Sequence, residues 1–380
     1  MKKEEKIKAL QDIVRIKSVN DKEEEVAKYI QKLFKDHGIE SELVEYAPGR
    51  SNLVAILEGR QAGKTLAISG HMDVVSAGDE SEWTYPPFSG EIVDGKLYGR
   101  GSTDMKGGTI GLAIAMIELK ESGQDFKGKI KYMATVGEEI GTVGAKFLTQ
   151  KGYADDLDGL LIGEPSGPSM IVSTHKGSMS YKVTSVGKSS HSSMPEEGIN
   201  AINQLNLFIT KANARMQEIT DKYENEKTGR TTHAITIIQG GSQINSIPEK
   251  AVLEGNIRSI AEYPNDKIEA DLYQIIDEIN QEIEGHLSIE LTQNNFPVDK
   301  DDQSDLVKAI QSVVGSDVPV SGIGPTTDGA QFIFGKSDFD FAIYGPGEPT
   351  LPHQVNEFIK VEEYLDFIDI YQKVYLAYLN

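Results

Sequence analysis

The sequence predicts an α/β protein whose larger domain has a largely parallel central sheet flanked by helices and is interrupted by a smaller, ferredoxin-like α+β domain. Three observations predict it. The chain has 380 residues, more than a single ordinary core accommodates. Short apolar strands alternate with helical periodicity through the first 164 residues. Near residue 177 the texture changes to alternating, half-buried strands in β-α-β-β-α-β order, and the earlier pattern then resumes. The domains are expected at 1–177 with 293–380, and at 178–292.

Residues 3–37 form an amphipathic helix pair, with Ile7, Leu10, Ile13 and Val14 on one stripe and Val26, Ile30 and Leu33 on the next. Ser18-Val-Asn-Asp21 breaks them and offers capping side chains. Leu53–Leu57, Leu66–Ile68, Ile130–Val136 and Leu160–Ile162 are apolar runs of strand length, and Ile110–Leu119 is a helix between the second and third. In the insertion, Met179–Val186, Ala234–Ile238, Ala251–Ile257 and Leu287–Leu291 are strands, and Ala201–Ile219 and Ile268–Ile283 are helices. The first pattern returns with a helix at Ser304–Val314, a strand at Phe341–Tyr344 and a terminal helix at Val361–Leu379.

Composition narrows the function. No run approaches the roughly 20 apolar residues that span a bilayer, and the charged start Met1-Lys-Lys-Glu-Glu-Lys-Ile has no secretory apolar core. With no cysteine, disulfides and thiolate metal sites are excluded, so any metal must be held by nitrogen and oxygen. The expected location is the cytoplasm. A formal charge of −21 argues against a nucleic-acid partner, which needs a basic footprint. It also repels anionic substrates at long range, so a cleft that takes carboxylates needs local cations.

Five motifs place polar residues at strand ends or in Gly-rich turns: Ser-Gly-His71-Met-Asp73, Gly-Arg-Gly-Ser-Thr-Asp104-Met-Lys, Gly-Glu138-Glu139-Ile-Gly, Gly-Glu164-Pro-Ser and Leu-Pro-His353-Gln. Such positions project side chains from a rigid scaffold into a shared cleft. Imidazoles with carboxylates suit zinc, and a bridging carboxylate can hold two ions about 3.5–4 Å apart. Cobalt or manganese can replace zinc in an oxygen-rich site.

His71 and Asp73, at i and i+2, are expected to face the same side, so that Asp73 hydrogen-bonds the far ring nitrogen of His71 and fixes its tautomer. Asp104, just ahead of a helix, is read either as a helix N-terminal acid or as the bridging carboxylate. The glycines around it do not form a phosphate loop, because no G-x-x-x-x-G-K-[ST] motif is present. Glu138 and Glu139 repel each other in an apolar cleft unless one of them ligates a cation, leaving the other to take a proton from water. Glu164, after Leu160-Leu-Ile-Gly163, adds another carboxylate at a strand end.

With these motifs on almost its whole length, the chain resembles the zinc-dependent family of acetylornithine deacetylases, succinyl-diaminopimelate desuccinylases and aminoacylase/carboxypeptidases. The resemblance implies a dinuclear amidohydrolase, with His71, Asp104 and Glu164 on one zinc and Asp104, Glu139 and His353 on the other. It makes Glu138 the general base and Asp73 the partner of His71. It also implies that the inserted domain dimerises the chain, and that its segment Gly187-Lys-Ser-Ser-His191 carries a histidine into the partner subunit's site as an oxyanion stabiliser. Asn245 and Arg258 resemble contacts to a substrate carboxylate, which the Arg fork binds bidentately. Gly324-Pro-Thr326-Thr-Asp328 resembles a substrate loop, with Pro325 a departure from the usual pattern.

Glu164 favours a deacylase or carboxypeptidase, because aminopeptidases of the family typically carry Asp there. The expected substrate is an N-acyl amino acid or short peptide. Desuccinylation of N-succinyl-diaminopimelate is the first reading, then acetylornithine deacetylation, then carboxypeptidase or dipeptidase action. A non-catalytic binding protein that keeps the fold is the remote alternative.

Overall fold

A computed structural model describes residues 1–380. The chain forms two compact units. One comprises Met1–Ser173, Lys300–Ser321 and Thr327–Asn380, and the other Thr174–Asp299 with Gly322–Thr326. The second unit extends beyond the expected span 178–292 at both ends, and takes in a short segment around Pro325.

The large sheet runs in the order Ser41–Ala47, Arg50–Glu58, Lys127–Thr135, Gln61–His71, Gly159–Ile162, Asp340–Ile343 and Ile171–His175. The central four strands are mutually parallel, with antiparallel strands at the margins. Their carboxyl ends therefore share one edge. His71 pairs with Thr135 and Ser69 with Ile162, so the turns carrying Glu138, Glu139 and Glu164 leave the sheet beside His71. The edge strand Ser41–Ala47 escaped sequence reading because its acidic residues and half-exposed pattern blur the apolar signal.

The helix Gly107–Ser122 is apolar on all sides and buried from Gly107 to Ile117, as a helix enclosed by other elements must be. The terminal helix Val361–Leu379 packs on it and on the sheet. Its tyrosines bury their rings while each hydroxyl donates to a carbonyl: Tyr364 to Lys6, Tyr371 to Tyr344, Tyr375 to Leu112 and Tyr378 to Asp158, at 2.7–3.2 Å. One helix thereby fastens four separate segments of this unit.

The second unit has a four-stranded antiparallel sheet in the order Thr232–Gly240, Lys250–Arg258, Ser178–Val186, His286–Asn295. The helices Ala201–Lys222 and Asn265–Glu282 contribute Leu205, Phe208, Leu272 and Ile279 to its own core. In chain order this is β-α-β-β-α-β, the expected ferredoxin-like pattern. The ribbon Ser190–His191 pairs with Ser246–Ile247.

Two glycines of the buried helix test how tightly the first unit is packed. A Cβ at Gly108 would lie 1.9 Å from the carbonyl oxygen of Gly163, a backbone atom that cannot yield without moving the strand end before Glu164. A Cβ at Gly111 would instead make ordinary contacts of 3.5 Å and more with Tyr371, Tyr364 and Ile368. Gly108→Ala should destabilise by about 1–3 kcal/mol or more, whereas Gly111→Ala should stabilise by about 0.5–1 kcal/mol through its lower unfolded-state entropy. Urea midpoints of the two variants should therefore move in opposite directions.

Candidate metal centre and active site

The carboxyl edge of the parallel strands is where open α/β sheets usually bind ligands. Here it gathers His71, Asp104, Glu138, Glu139 and Glu164, and the loop following Asp340–Ile343 brings His353. Asp104 faces two imidazoles with different oxygens. Its Oδ1 lies 3.0 Å from His71 Nε2, and its Oδ2 lies 3.5 Å from His353 Nε2. Glu164 Oε1 is 3.5 Å from His71 Nε2, and Glu139 Oε2 is 3.0 Å from His353 Nε2. One ligand atom each from His71, Asp104 and Glu139 all fall within 4.8 Å of one another.

Local structure explains each placement. His71 is the last residue of its strand, and its carbonyl accepts from Thr109 Oγ1 at 2.9 Å. Asp104 sits in an irregular turn ahead of the buried helix, with φ −113° and ψ 98° and a cis peptide to Met105. Its neighbour Lys106 is fully buried and donates to the carbonyls of Ile13 and Ile16 at 2.9 and 2.7 Å. Glu138 and Glu139 follow Gly137, whose φ of +64° turns the chain sharply after the strand. His353 also has a left-handed backbone, φ +65°, unusual for a residue with a side chain.

Asp73 departs from the sequence expectation. Its backbone carbonyl, not its carboxylate, meets His71 Nδ1 at 2.9 Å, and the nearer carboxylate oxygen is 3.7 Å away. The strand ends at His71, so the two residues no longer share an extended pleat. The carboxylate instead accepts the backbone N–H groups of Glu138 and Glu139, each at 3.1 Å. A carbonyl can only accept, so His71 Nδ1 carries a proton, and Nε2, which faces Asp104 and Glu164, is the nitrogen that takes up a further proton or a cation.

The electrostatics match a centre built for cations. Burial first, then Glu139, Glu164 and Asp328, push the Glu138 carboxyl well above the usual range. Burial and Asp104 do the same to Glu164. Asp73 is pushed up to about 6, chiefly by burial. Asp104 is also driven upward by burial, but the His71 and His353 imidazoles outweigh this and hold it below its ordinary value. Burial works against the His71 charge, yet Asp104 and Glu164 raise its proton affinity well above normal. His353 is raised through its contact with Glu139. Without cations, this array takes up protons to relieve its own repulsion. Its donors are oxygen and imidazole nitrogen only, which fits zinc or a similar divalent ion.

Three participants had no distinguishing local pattern. Arg100 and Glu357 form a buried ion pair beside Asp104, at 2.6 Å. Asp328 accepts a hydrogen bond from Thr135 Oγ1, while its buried Oδ1 has no partner. Burial pushes Asp328 up to about 7. Its loop stood out in the sequence, but through Gly324 and Thr326.

The other expected residues belong to the second unit. His191 and Asn245 are neighbours on the small ribbon, where Ser192 N donates to Asn245 O at 3.0 Å. His191 is exposed, with Nδ1 2.7 Å from Ser193 Oγ. Arg258 ends the strand Lys250–Arg258 and is half-buried. Thr326 Oγ1 donates to Lys176 O at 2.8 Å, which leaves its hydroxyl only acceptor capacity, and a Cβ at Gly324 would meet open space.

Comparison with known proteins follows the same lines. Residues 67–377 match the peptidase family M20/M25/M40. The chain is 42% identical to a probable succinyl-diaminopimelate desuccinylase of Staphylococcus aureus strain MSSA476, over 99% of this chain and 98% of that one. Its fold is similar to an M20 family metallo-carboxypeptidase of Sulfolobus solfataricus, with a TM-score of 0.79 at 19% identity over 98% and 99% of the two chains. It is also similar to YxeP of Bacillus subtilis, a dinuclear metal-binding peptidase of the M20 family, with a TM-score of 0.73 at 16% identity over 99% and 98%. A match spanning every strand end that supplies the acidic cluster leads to one assignment: the chain belongs to the peptidase family M20/M25/M40 and is a hydrolase.

Proposed function

We propose that this chain hydrolyses the amide of N-succinyl-diaminopimelate, releasing succinate and the free amine. The observation that carries the substrate is the 42% identity, over nearly the full length of both chains, to relatives of that name. The geometry supplies the chemistry. His71, Asp104 and Glu164 would hold one divalent cation, and Asp104, Glu139 and His353 the other, zinc being the first choice and cobalt or manganese acceptable. Each oxygen of Asp104 already faces a different histidine, which supports the bridging role. When bound, the two ions supply Lewis-acid activation of the amide carbonyl and of water.

Glu138 takes the proton from the attacking water and returns it to the departing nitrogen. Burial raises its proton affinity, which suits a group that must both accept and release a proton. Asp73 keeps it in place by binding the backbone N–H groups of Glu138 and Glu139. Arg258 and Asn245, with the Gly324–Thr326 segment, receive a substrate carboxylate, and Arg258 gives the anion a local cation within a chain of net charge −21.

A panel of succinyl-diaminopimelate, acetylornithine and a dipeptide tests the substrate. The expected order has the first well ahead in kcat/KM. Preference for acetylornithine or for the dipeptide would replace this reading with a deacetylase or peptidase.

The role assignments separate by metal content. Asp104→Ala should abolish activity and much of the bound metal, since it removes a ligand from both ions. Glu138→Ala should keep two metals per chain and lose turnover by about 10²–10⁴-fold or more. If Glu138→Ala strips metal while Glu139→Ala retains it, the two glutamates have exchanged roles.

The second unit is proposed to form a homodimer through which His191 serves the partner's site. Its edge strand Thr232–Gly240 is largely exposed, with Ile237 and Ile238 44% and 57% accessible, a row of groups suited to pairing with another copy. Mixing inactive His191→Ala with inactive Glu138→Ala under subunit exchange should restore activity, because one site of the mixed dimer has both groups intact. Heterodimers without recovery would exclude the trans role.

A further inference from the structure

The geometry points to Arg100 and Glu357 as a clamp that sets two metal-binding segments against each other, the turn of Asp104 and the loop of His353. Glu357 is fully buried and Arg100 is 3% exposed. One oxygen of Glu357 accepts the backbone N–H groups of Thr103 and Asp104, at 2.9 and 3.0 Å. Its other oxygen accepts Arg100 Nη1 at 2.6 Å. Arg100 then reaches the opposite segment, where Nη1 donates to Gln354 O and Nη2 to His353 O, both at 3.1 Å. Its guanidinium lies over the Trp83 ring, 5.2 Å from the centroid, and the indole N–H is itself anchored on Ala77 O at 2.9 Å.

This pair has little reason to exist for stability alone, since buried ion pairs are often replaceable by apolar residues without loss. What it provides is direction. The His353 side chain is 55% exposed, on a loop outside any helix or strand and with a left-handed backbone. Its imidazole therefore gains little placement from packing. The carbonyl bond to Arg100 holds its backbone instead. Asp104 has irregular dihedrals, and its N–H is fixed by Glu357. The clamp thus grips two of the three groups assigned above to the second cation, Asp104 and His353, without contributing a ligand. Both are positioning residues, and the inference rests on the two-ion reading of the centre.

Metal-free, full-length protein is titrated with Co²⁺ alone, and stoichiometry by dialysis is followed beside the visible cobalt spectrum. Wild type should bind two ions. Glu357→Gln replaces the acceptor that faces Arg100 with a mixed donor and acceptor. Arg100→Lys keeps the charge but cannot span both carbonyls. In each variant the ion assigned to Asp104, Glu139 and His353 should weaken by about tenfold or more, and the ion that His71 and Glu164 also hold should weaken distinctly less, in line with the effect of partners that orient ligands. His353→Ala should weaken that same ion, and adding Glu357→Gln to it should cost clearly less than Glu357→Gln costs in the wild type, because part of its effect runs through the His353 loop. Equal weakening of both ions, wild-type affinity for both, or full additivity with His353→Ala would each overturn the clamp. If Glu357→Gln does not fold, the Arg100→Lys titration decides by the same criteria. Fewer than two ions on the wild type would instead overturn the two-ion reading, and the clamp with it.

Discussion

Repulsion among carboxylates at one sheet edge is the constraint on which the rest of this structure depends. Asp104 and Glu139 bring ligand atoms within 4.8 Å of each other, with Glu138, Glu164, Asp73 and Asp328 nearby and largely buried. At such a separation, two full charges in an effective dielectric of ~20 repel by about 3–4 kcal/mol. Several such pairs would consume much of the roughly 5–15 kcal/mol that stabilises a folded domain. The cluster is tenable only if protons or cations neutralise it. Within it, two imidazoles face opposite oxygens of one aspartate.

The scaffold answers this with rigidity. Glu138, Glu139 and Glu164 follow the ends of parallel strands whose register fixes their relative heights. Behind them the buried helix Gly107–Ser122 approaches Gly163 so closely that no side chain fits at Gly108. The terminal helix fastens this arrangement with tyrosine hydroxyls on four carbonyls. Asp73 binds the turn of Glu138 and Glu139, and Glu357 binds the turn of Asp104. In both cases a buried carboxylate takes backbone N–H groups that the turn leaves without partners, as buried donors require. Two of the acids at this edge thus serve as anchors for the others.

Net charge shapes the other half of the problem. An excess of 21 negative charges offers no long-range attraction to an anionic substrate. A cation that meets such a substrate must then act locally, since the 38 Lys and Arg residues are outnumbered by 59 Asp and Glu. Arg258 stands at the end of a regular strand in the second unit, on a rigid element.

The sequence by itself determined the α/β class, the β-α-β-β-α-β insertion and the residues gathered at the strand ends. His71, Glu138, Glu139 and Glu164 each lie where an apolar run meets a Gly-containing turn, a junction visible in one dimension. The edge strand Ser41–Ala47 was not legible, because an acidic, half-exposed strand has no apolar period to detect. Tertiary structure alone decided the rest. Whether Asp73 would meet His71 with its carboxylate or its carbonyl depended on where the strand ended and on which N–H groups of the Glu138 turn needed an acceptor. Glu357 stands 253 positions from Asp104, in an unremarkable Val-Asn-Glu-Phe stretch. Nothing local distinguishes it from a surface acid. Its meaning comes from burial and from the partners that folding brings to it, and those are properties of the folded chain alone.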